Sequence, residues 1–464
     1  MREFRGLPII KFPPSASMIT LRTIVAIALV SLPALGGNLQ VSSLAELNEA
    51  ISKSGNTIRM KPGRYDLEQL PRKGRKLEFS GSDNTVDLSG VYVNVTVGLV
   101  DRSYIEVTGN DNTIIGGEFE DTYRNGVSFV EDFSAYNKDR RNLAAGLRGE
   151  AVMDVDGDGN LVKGLKLTVR GSWPYGYGSF FGIGAPSTFG LNKRCGILIR
   201  GVGNTLDGIE LQQRAFGHGI YMQGKADKTV IKNCHVEGRV RKTGDLYEET
   251  DPEDLPSRAG YRFPNRDDFR IRSPGSYPIP KDRVHSLCED GIRMYNIRGS
   301  ITVENCTVTK MRGGIRLYLG GPATVKDCTV TFCEYTGYNL PNKGQVVASS
   351  GDFAFGPLTD YRGGRGGSRA EWTILPSPRA SGSHNIMDIL GNKHHITLNQ
   401  GKGPINRDEE RAIVITGNDS TIINRTEYKV VLEDGARGNQ VTSYGPVSGD
   451  LGKNTVKKLD APGP

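Results

Sequence analysis

The sequence predicts an all-β solenoid, one strand wound into stacked coils, on three observations. The first is a glycine repeat. His218-Gly219-Ile220-Tyr221-Met222-Gln223, Asp290-Gly291-Ile292-Arg293-Met294-Tyr295, Gly313-Gly314-Ile315-Arg316-Leu317-Tyr318 and Thr336-Gly337-Tyr338-Asn339-Leu340 superimpose at one glycine. Gly291, Gly314 and Gly337 are 23 residues apart, and Gly219 follows Gly196 by the same interval. A period near 23 with short apolar alternation and no helical pattern makes one coil the repeating unit. The second is a turn marker. It recurs at Gly81–Val86, Gly109–Ile114, Gly157–Val162, Gly201–Leu206 and Gly417–Ile422, always with a strand directly behind it. Gly and Asn accept left-handed turn geometry, and a stacked Asn can bond to the coils above and below. The third is a column of thiols, Cys234, Cys306 and Cys328, each followed by an alternating strand. They read as an inward ladder of small apolar groups.

The elements follow in order. Ile24 to Leu32 is an apolar run behind Arg22, and Pro33 to Gly36 supplies small residues for cleavage. This is the order of a signal peptide, placed over residues 1–36, with Met18 as its natural start and Met1–Ser17 as an upstream mis-start. It predicts a secreted or periplasmic protein. Residues 37–460 then form a single domain. Ser43-Leu44-Ala45-Glu46 is a capping box before an amphipathic helix that would cap the open end of the solenoid. Ile58 to Tyr65 reads as a strand, a Pro62-Gly63 turn and a second strand.

Composition narrows the class. The chain has 464 residues and 60 glycines, and 37% of its residues are hydrophobic, which suits a thin core. The formal charge of +7 falls to +4 without residues 1–36. That is compatible with an acidic polymer, but no basic run with interleaved aromatics suggests nucleic acid. Nothing beyond the N-terminal run could span a bilayer, and a monomer is expected. Six cysteines are too few for a disulfide scaffold, and no Cys-x-x-Cys or His-Cys pair marks a metal.

The helix followed by Ile58-x-x-x-Pro62-Gly63-x-Tyr65, together with the turn markers, resembles the opening coils of the pectate-lyase-like superfamily. The resemblance implies a single-stranded right-handed parallel β-helix of PbH1-type repeats with an N-terminal capping helix. It is weak for function, because that fold hosts lyases, hydrolases, epimerases and adhesins.

Long insertions are expected near 118–150, 171–194, 239–288 and 341–382, where a rigid scaffold carries its functional loops. Trp173, Tyr175 and Tyr177 lie in a Gly-rich stretch suited to sugar faces. With Gln223, Arg239 and Arg241 they are the expected substrate-binding residues. The 239–288 stretch, with Tyr247, Arg262 and His285, reads as a charged wall beside a groove.

Strand alternation assigns directions. Ile220, Met222, Ile292, Met294, Ile315 and Leu317 point inward. Tyr221, Arg293 and Arg316 then share an outward column, and Gln223, Tyr295 and Tyr318 the next. His218 and Asp290 precede their strands at equivalent places. Stacked arginines repel unless an anion lies with them; Asp290, Glu289 or a substrate carboxylate would serve. The patch suits β-elimination of a uronate polymer. That reaction needs a cation on the carboxylate, a base at C5 and an acid for the leaving oxygen. Arg316 is expected on the carboxylate with Arg293 beside it, and His218 as base. Tyr221, Tyr295 and Tyr318 are the other catalytic candidates, and four of these six side chains should face solvent together.

Gly217-His218-Gly219 and Gly314-Ile315-Arg316 also resemble elements of polygalacturonase-type hydrolases. The paired aspartates of that family are absent upstream, where only Asp207 and Glu210 stand, and Leu317-Tyr318 replaces its lysine. The expected function is therefore a polysaccharide lyase on an acidic polysaccharide. The alternatives are a hydrolase or uronate epimerase, or a non-catalytic carbohydrate-binding or adhesion solenoid. No cofactor is expected; Ca2+ is conceivable but has no clear site.

Overall fold

Alternating apolar side chains force each strand to bury one face, and coils of three short strands satisfy all of them around one axis. The computed structural model describes residues 36–96, 103–122, 151–170, 194–215, 217–242, 270–271, 277–278, 284–286, 288–360, 366–377, 383–404 and 411–460. Residues 1–35 lie outside these, and so does the expected signal peptide apart from Gly36. The fold is the expected right-handed parallel β-helix. Described strands form one 13-stranded sheet, one 21-stranded sheet that takes two strands from most coils, and two short antiparallel pairs. A middle coil runs Ile301–Glu304, Thr307–Thr309 and Gly313–Gly320; the next runs Ala323–Lys326, Thr329–Thr331 and Thr336–Asn339. All pairings between coils are parallel and in register over most of their length.

The fixed glycine has a steric cause. A Cβ on Gly219, Gly291 or Gly314 would lie 2.6, 2.3 or 2.3 Å from a methyl of Val236, Val308 or Val330 on the facing wall. The walls approach too closely there for any side chain. The turn marker is an asparagine ladder. Asn112 Oδ1 accepts the Asn84 N–H at 3.0 Å, Asn160 that of Asn112 at 2.9 Å, and Asn204 that of Asn160 at 2.8 Å. Each amide also donates to a backbone carbonyl one coil back, so buried polar groups at the bend are satisfied. Asn233, Asn305 and Asp327 have φ of 56°, 49° and 52°, and each turns the chain so that the next residue faces inward. Those next residues are Cys234, Cys306 and Cys328, buried in register as expected. All six cysteines are buried and none forms a disulfide.

Two expectations change. The first coils are longer than 23 residues: the Asn56–Asn84 and Asn84–Asn112 bonds span 28. The stretch 341–382 is not an excursion throughout. It contains strands Gln345–Gly351, Thr359–Asp360 and Arg369–Ile374, all paired in the coils. Their glycine marker is missing, which hid them. Likewise the strand Thr113–Thr122 runs into the stretch expected from 118.

The helix Leu44–Ile51 is capped by Ser43, whose Oγ accepts the Glu46 N–H at 3.2 Å. Glu46 reaches back to Ser42 rather than to Ser43. The helix buries Leu44, Leu47, Ala50 and Ile51, and a strand, Asn38–Val41, precedes it. No described helix is long and apolar enough to cross a membrane.

Candidate active site

The site grows from three neighbouring strands of the 13-stranded sheet, Ile220–Met222, Asp290–Ile297 and Gly313–Gly320. Their inward residues Ile220, Met222, Ile292, Met294, Ile315 and Leu317 are fully buried. Tyr221 pairs with Arg293 and Arg293 with Arg316, so the outward column stands as expected. The next column does not. The register shifts after Arg293, and Tyr295 pairs with Leu319 instead of Tyr318. Asn296, at φ 44°, follows in the same irregular stretch.

The residues converge, but they do not face solvent as expected. His218, Tyr221, Arg293 and Arg316 are 3, 7, 5 and 7% exposed. Tyr295 and Tyr318 are half-buried and form the accessible part. The reason is lateral packing. The His218 ring lies 5.6 Å from that of Tyr221 and 5.5 Å from that of Tyr295. The Arg293 guanidinium packs 4.6 Å from the Tyr295 ring centre and 4.5 Å from that of Tyr318. Arg316 packs 5.2 Å from Tyr318 and 5.3 Å from Tyr335.

Asp290 is the hub. Arg316 Nη1 donates to its Oδ1 at 2.9 Å, and Arg293 Nε and Arg312 Nη2 lie 3.6 and 3.8 Å from the carboxylate. Burial alone would raise its pKa; the charges of Arg316, Arg312 and Arg293 overcome this and hold it well below the ordinary carboxylate range. Gly313 makes the contact possible. A Cβ there would lie 2.2 Å from Arg316 Cδ and 2.5 Å from Asp290 Oδ1. Arg316 Nε also donates to Asn339 Oδ1 at 2.9 Å. Arg316 is thus held on two sides. Arg293 Nη2 donates to Tyr318 Oη at 2.9 Å, while its buried Nη1 has no hydrogen-bond partner.

His218 is placed as a donor. Its Nδ1 accepts the Asp290 backbone N–H at 3.2 Å. That occupies the Nδ1 lone pair, so the proton of the neutral ring sits on Nε2. Nε2 lies 2.7 Å from Tyr295 Oη and 3.2 Å from Glu289 Oε2. Glu289 is itself held by Arg312 at 3.3 Å.

The tyrosines diverge in acidity. Burial pushes Tyr295 up to about 12, against the opposing charge of Arg293. Burial also acts on Tyr318, but the Arg293 hydrogen bond and the charges of Arg293 and Arg316 prevail and lower it. Tyr221 is raised far above its ordinary value by burial among Ala151, Cys195 and Leu198.

Gln223 and Arg239 are half-buried. Trp173, Tyr175, Tyr177, Tyr247, Arg262 and the side chains of Arg241 and His285 lie outside the described residues. So do residues 171–193 and most of 239–288, the expected walls. Among the described residues, no group of three or more His, Cys, Asp or Glu side chains could hold a metal.

Sequence reasoning passed over Asn339, Arg312, Asp360 and Asp388. Asn339 was readable, since it occupies the Arg316 place of the fourth glycine segment. Asp360 and Asp388 pair with each other on the same sheet. Burial and the neighbouring Asp388 raise Asp360 to about 6. Asp360 fell in a stretch without the glycine marker.

No family model and no curated protein matches the chain. Similar solved structures include the catalytic domain of a GH87 α-1,3-glucanase in complex with nigerose, at 12% identity and TM-score 0.43, covering 93% of this chain and 69% of that one. A mannuronic acid specific polysaccharide family 6 lyase from human gut microbiota is similar at 9% identity and TM-score 0.42, covering 91% and 82%. The endo-xylogalacturonan hydrolase from Aspergillus tubingensis is similar at 12% and 0.31, covering 92% and 98%. At these scores the likenesses carry no weight for the chemistry, which rests on the site.

Proposed function

We propose that this face cleaves an acidic polysaccharide by β-elimination, with Arg293 receiving the uronate carboxylate, Tyr318 as base and Tyr295 as acid. The observation that carries this reading is the pair of phenols packed against one guanidinium with their acidities pushed in opposite directions. Divergent pKa values in adjacent groups separate a base from an acid. The cation is the third requirement, and Nη1 of Arg293, buried and without a hydrogen-bond partner, supplies it.

The step balances. Tyr318, as phenolate, takes the C5 proton. The released electron pair forms the C4–C5 double bond and expels the C4 glycosidic oxygen. Tyr295 gives that oxygen a proton and is reprotonated from solvent, to which Tyr318 releases the C5 proton. His218, which offers an N–H rather than a lone pair to Tyr295, holds the acid in place; it is a positioning residue and not the base. Arg316, committed to Asp290 and Asn339, holds the charge balance of the cluster. The apolar segment Ile24–Leu32 supports a secreted or periplasmic location, where such polymers are met.

The test is product analysis of the full chain on alginate, pectate, glucuronan and glycosaminoglycans. Elimination leaves an unsaturated uronate absorbing in the near ultraviolet. Tyr318→Phe should lower turnover by about 10²–10⁴-fold while polymer retention persists. A new reducing end without absorbance would replace elimination by hydrolysis. Retention without cleavage would leave a binding solenoid.

A further inference from the structure

The outward column that carries Arg293 changes charge along the solenoid. Leu198 pairs with Tyr221, and Tyr221 with Arg293. One coil before Leu198 stands Asp154, ion-paired to Arg200. On the other side Arg316 pairs with Asn339. Tyr338 pairs with Thr359, so the position after Asn339 in the column is Asp360, which pairs with Asp388. Two cationic rungs are thus bounded on each side by uncharged rungs and then by carboxylates.

The cationic rungs hold one further anion and not a row of them. Arg293, Arg312 and Arg316 face Asp290 and Glu289. Arg316 is held by Asp290 and Asn339. Arg293, with 5% of its surface exposed, keeps two buried nitrogens without a hydrogen-bond partner, Nε, which faces Asp290 at 3.6 Å, and Nη1, which faces no carboxylate within 4 Å among the described residues. Nη1 marks a place for a single carboxylate.

We infer that the substrate is a heteropolysaccharide in which uronates alternate with uncharged, hydroxyl-rich sugars, and that Asp360, three rungs from Arg293, selects it. This rests on the reading of Arg293 as the carboxylate site. Rungs recur at about 4.8 Å, close to the length of one sugar unit, so a polymer along the axis lays successive sugars over successive rungs. A uronate over Asp360 meets a carboxylate that is nine-tenths buried, where repulsion is little screened. A sugar hydroxyl at the same place meets an acceptor. Asp388, four rungs from Arg293, lies under a uronate in an alternating polymer and in a polyuronate alike, so Asp360 makes the distinction. Selection by repulsion of the wrong polymer is as effective as attraction of the right one.

The full chain is tested by affinity electrophoresis against hyaluronan, which alternates uronate with an uncharged amino sugar, and against alginate and pectate, which are runs of uronates. Wild type should bind hyaluronan roughly tenfold or more tighter than either polyuronate. In Asp360→Asn the polyuronates should come within about threefold of hyaluronan. Asp360→Ser serves if Asp360→Asn misfolds. Equal or tighter binding of polyuronates by wild type overturns the inference, as does an unchanged preference in the folded variants. The two readings separate on product. A hyaluronan preference with no unsaturated product from any polymer removes the elimination mechanism and leaves the selectivity. Unsaturated product formed best from polyuronates removes the selectivity alone. Failure to retain any of the three polymers removes both.

Discussion

Replacing Asp290 by Asn removes one charge from the centre of the cluster and keeps its shape. The side chain is 1% exposed, with Arg316 at 2.9 Å, Arg293 and His218 at 3.6 Å and Arg312 at 3.8 Å. A charge pair near 4 Å is worth about 4 kcal/mol at an effective dielectric constant of about 20, against a desolvation cost of several kcal/mol. Removing one partner of such a buried group leaves guanidinium charge uncompensated and costs about 3–5 kcal/mol. Asp290→Asn should lose about that much stability at pH 7 in urea unfolding followed by far-ultraviolet circular dichroism. The pH dependence has a definite sign. The folded carboxyl titrates well below its unfolded value of about 3.9. Its stabilisation is therefore complete above about pH 5 and is lost as the pH falls through about 4 toward the folded value. The gap between wild type and Asp290→Asn should narrow between pH 5 and pH 3. A gap under about 1 kcal/mol at pH 7, or one that persists unchanged at pH 3, would refute a buried network held by this carboxylate.

Three further outcomes are expected. Gly314→Ala places a Cβ 2.3 Å from Val330 Cγ1 and 2.4 Å from the Gly337 carbonyl; overpacking should cost about 1–3 kcal/mol, and unchanged urea stability would show that the walls can part. Asp352, buried and raised to about 6, accepts the Phe332 N–H at 3.0 Å, a bond that Asn retains. A raised folded pKa makes ionisation destabilising as pH climbs from about 4 through 6, so Asp352→Asn should gain about 1–3 kcal/mol at pH 8 and little at pH 4.5; a gain equal at both pH values would speak against the carboxylate. His218→Gln should lower turnover yet keep the limb of the pH–rate profile that belongs to Tyr318. Disappearance of that limb would return the role of base to His218.

The coil was legible because its causes are local. Gly291 and Gly314 recur at 23 residues because each must pass a valine of the facing wall, and that demand repeats with every coil. Alternation placed Ile292 and Met294 inward and Arg293 outward without reference to any other strand. The thiol ladder and the asparagine turns were legible for the same reason. Asp360 was not, because its coil lacks the glycine, and strand pairing alone brings it next to Asp388.

The gathering of His218, Arg293, Arg316, Tyr295 and Tyr318 on one stretch of the sheet was determined by the sequence, since they lie at fixed offsets from stacked glycines. Which nitrogen and which oxygen remain open was decided only by the tertiary structure. A shift of register after Arg293 separates Tyr295 from Tyr318, and Arg293 packs against both rings. Asp290 and Asn339 hold Arg316, and the Asp290 amide donates to His218 Nδ1. The repeat orders residues along the chain, but hydrogen bonds and ion pairs form across it. Their balance of burial against charge depends on distances of a few tenths of an ångström that no spacing encodes.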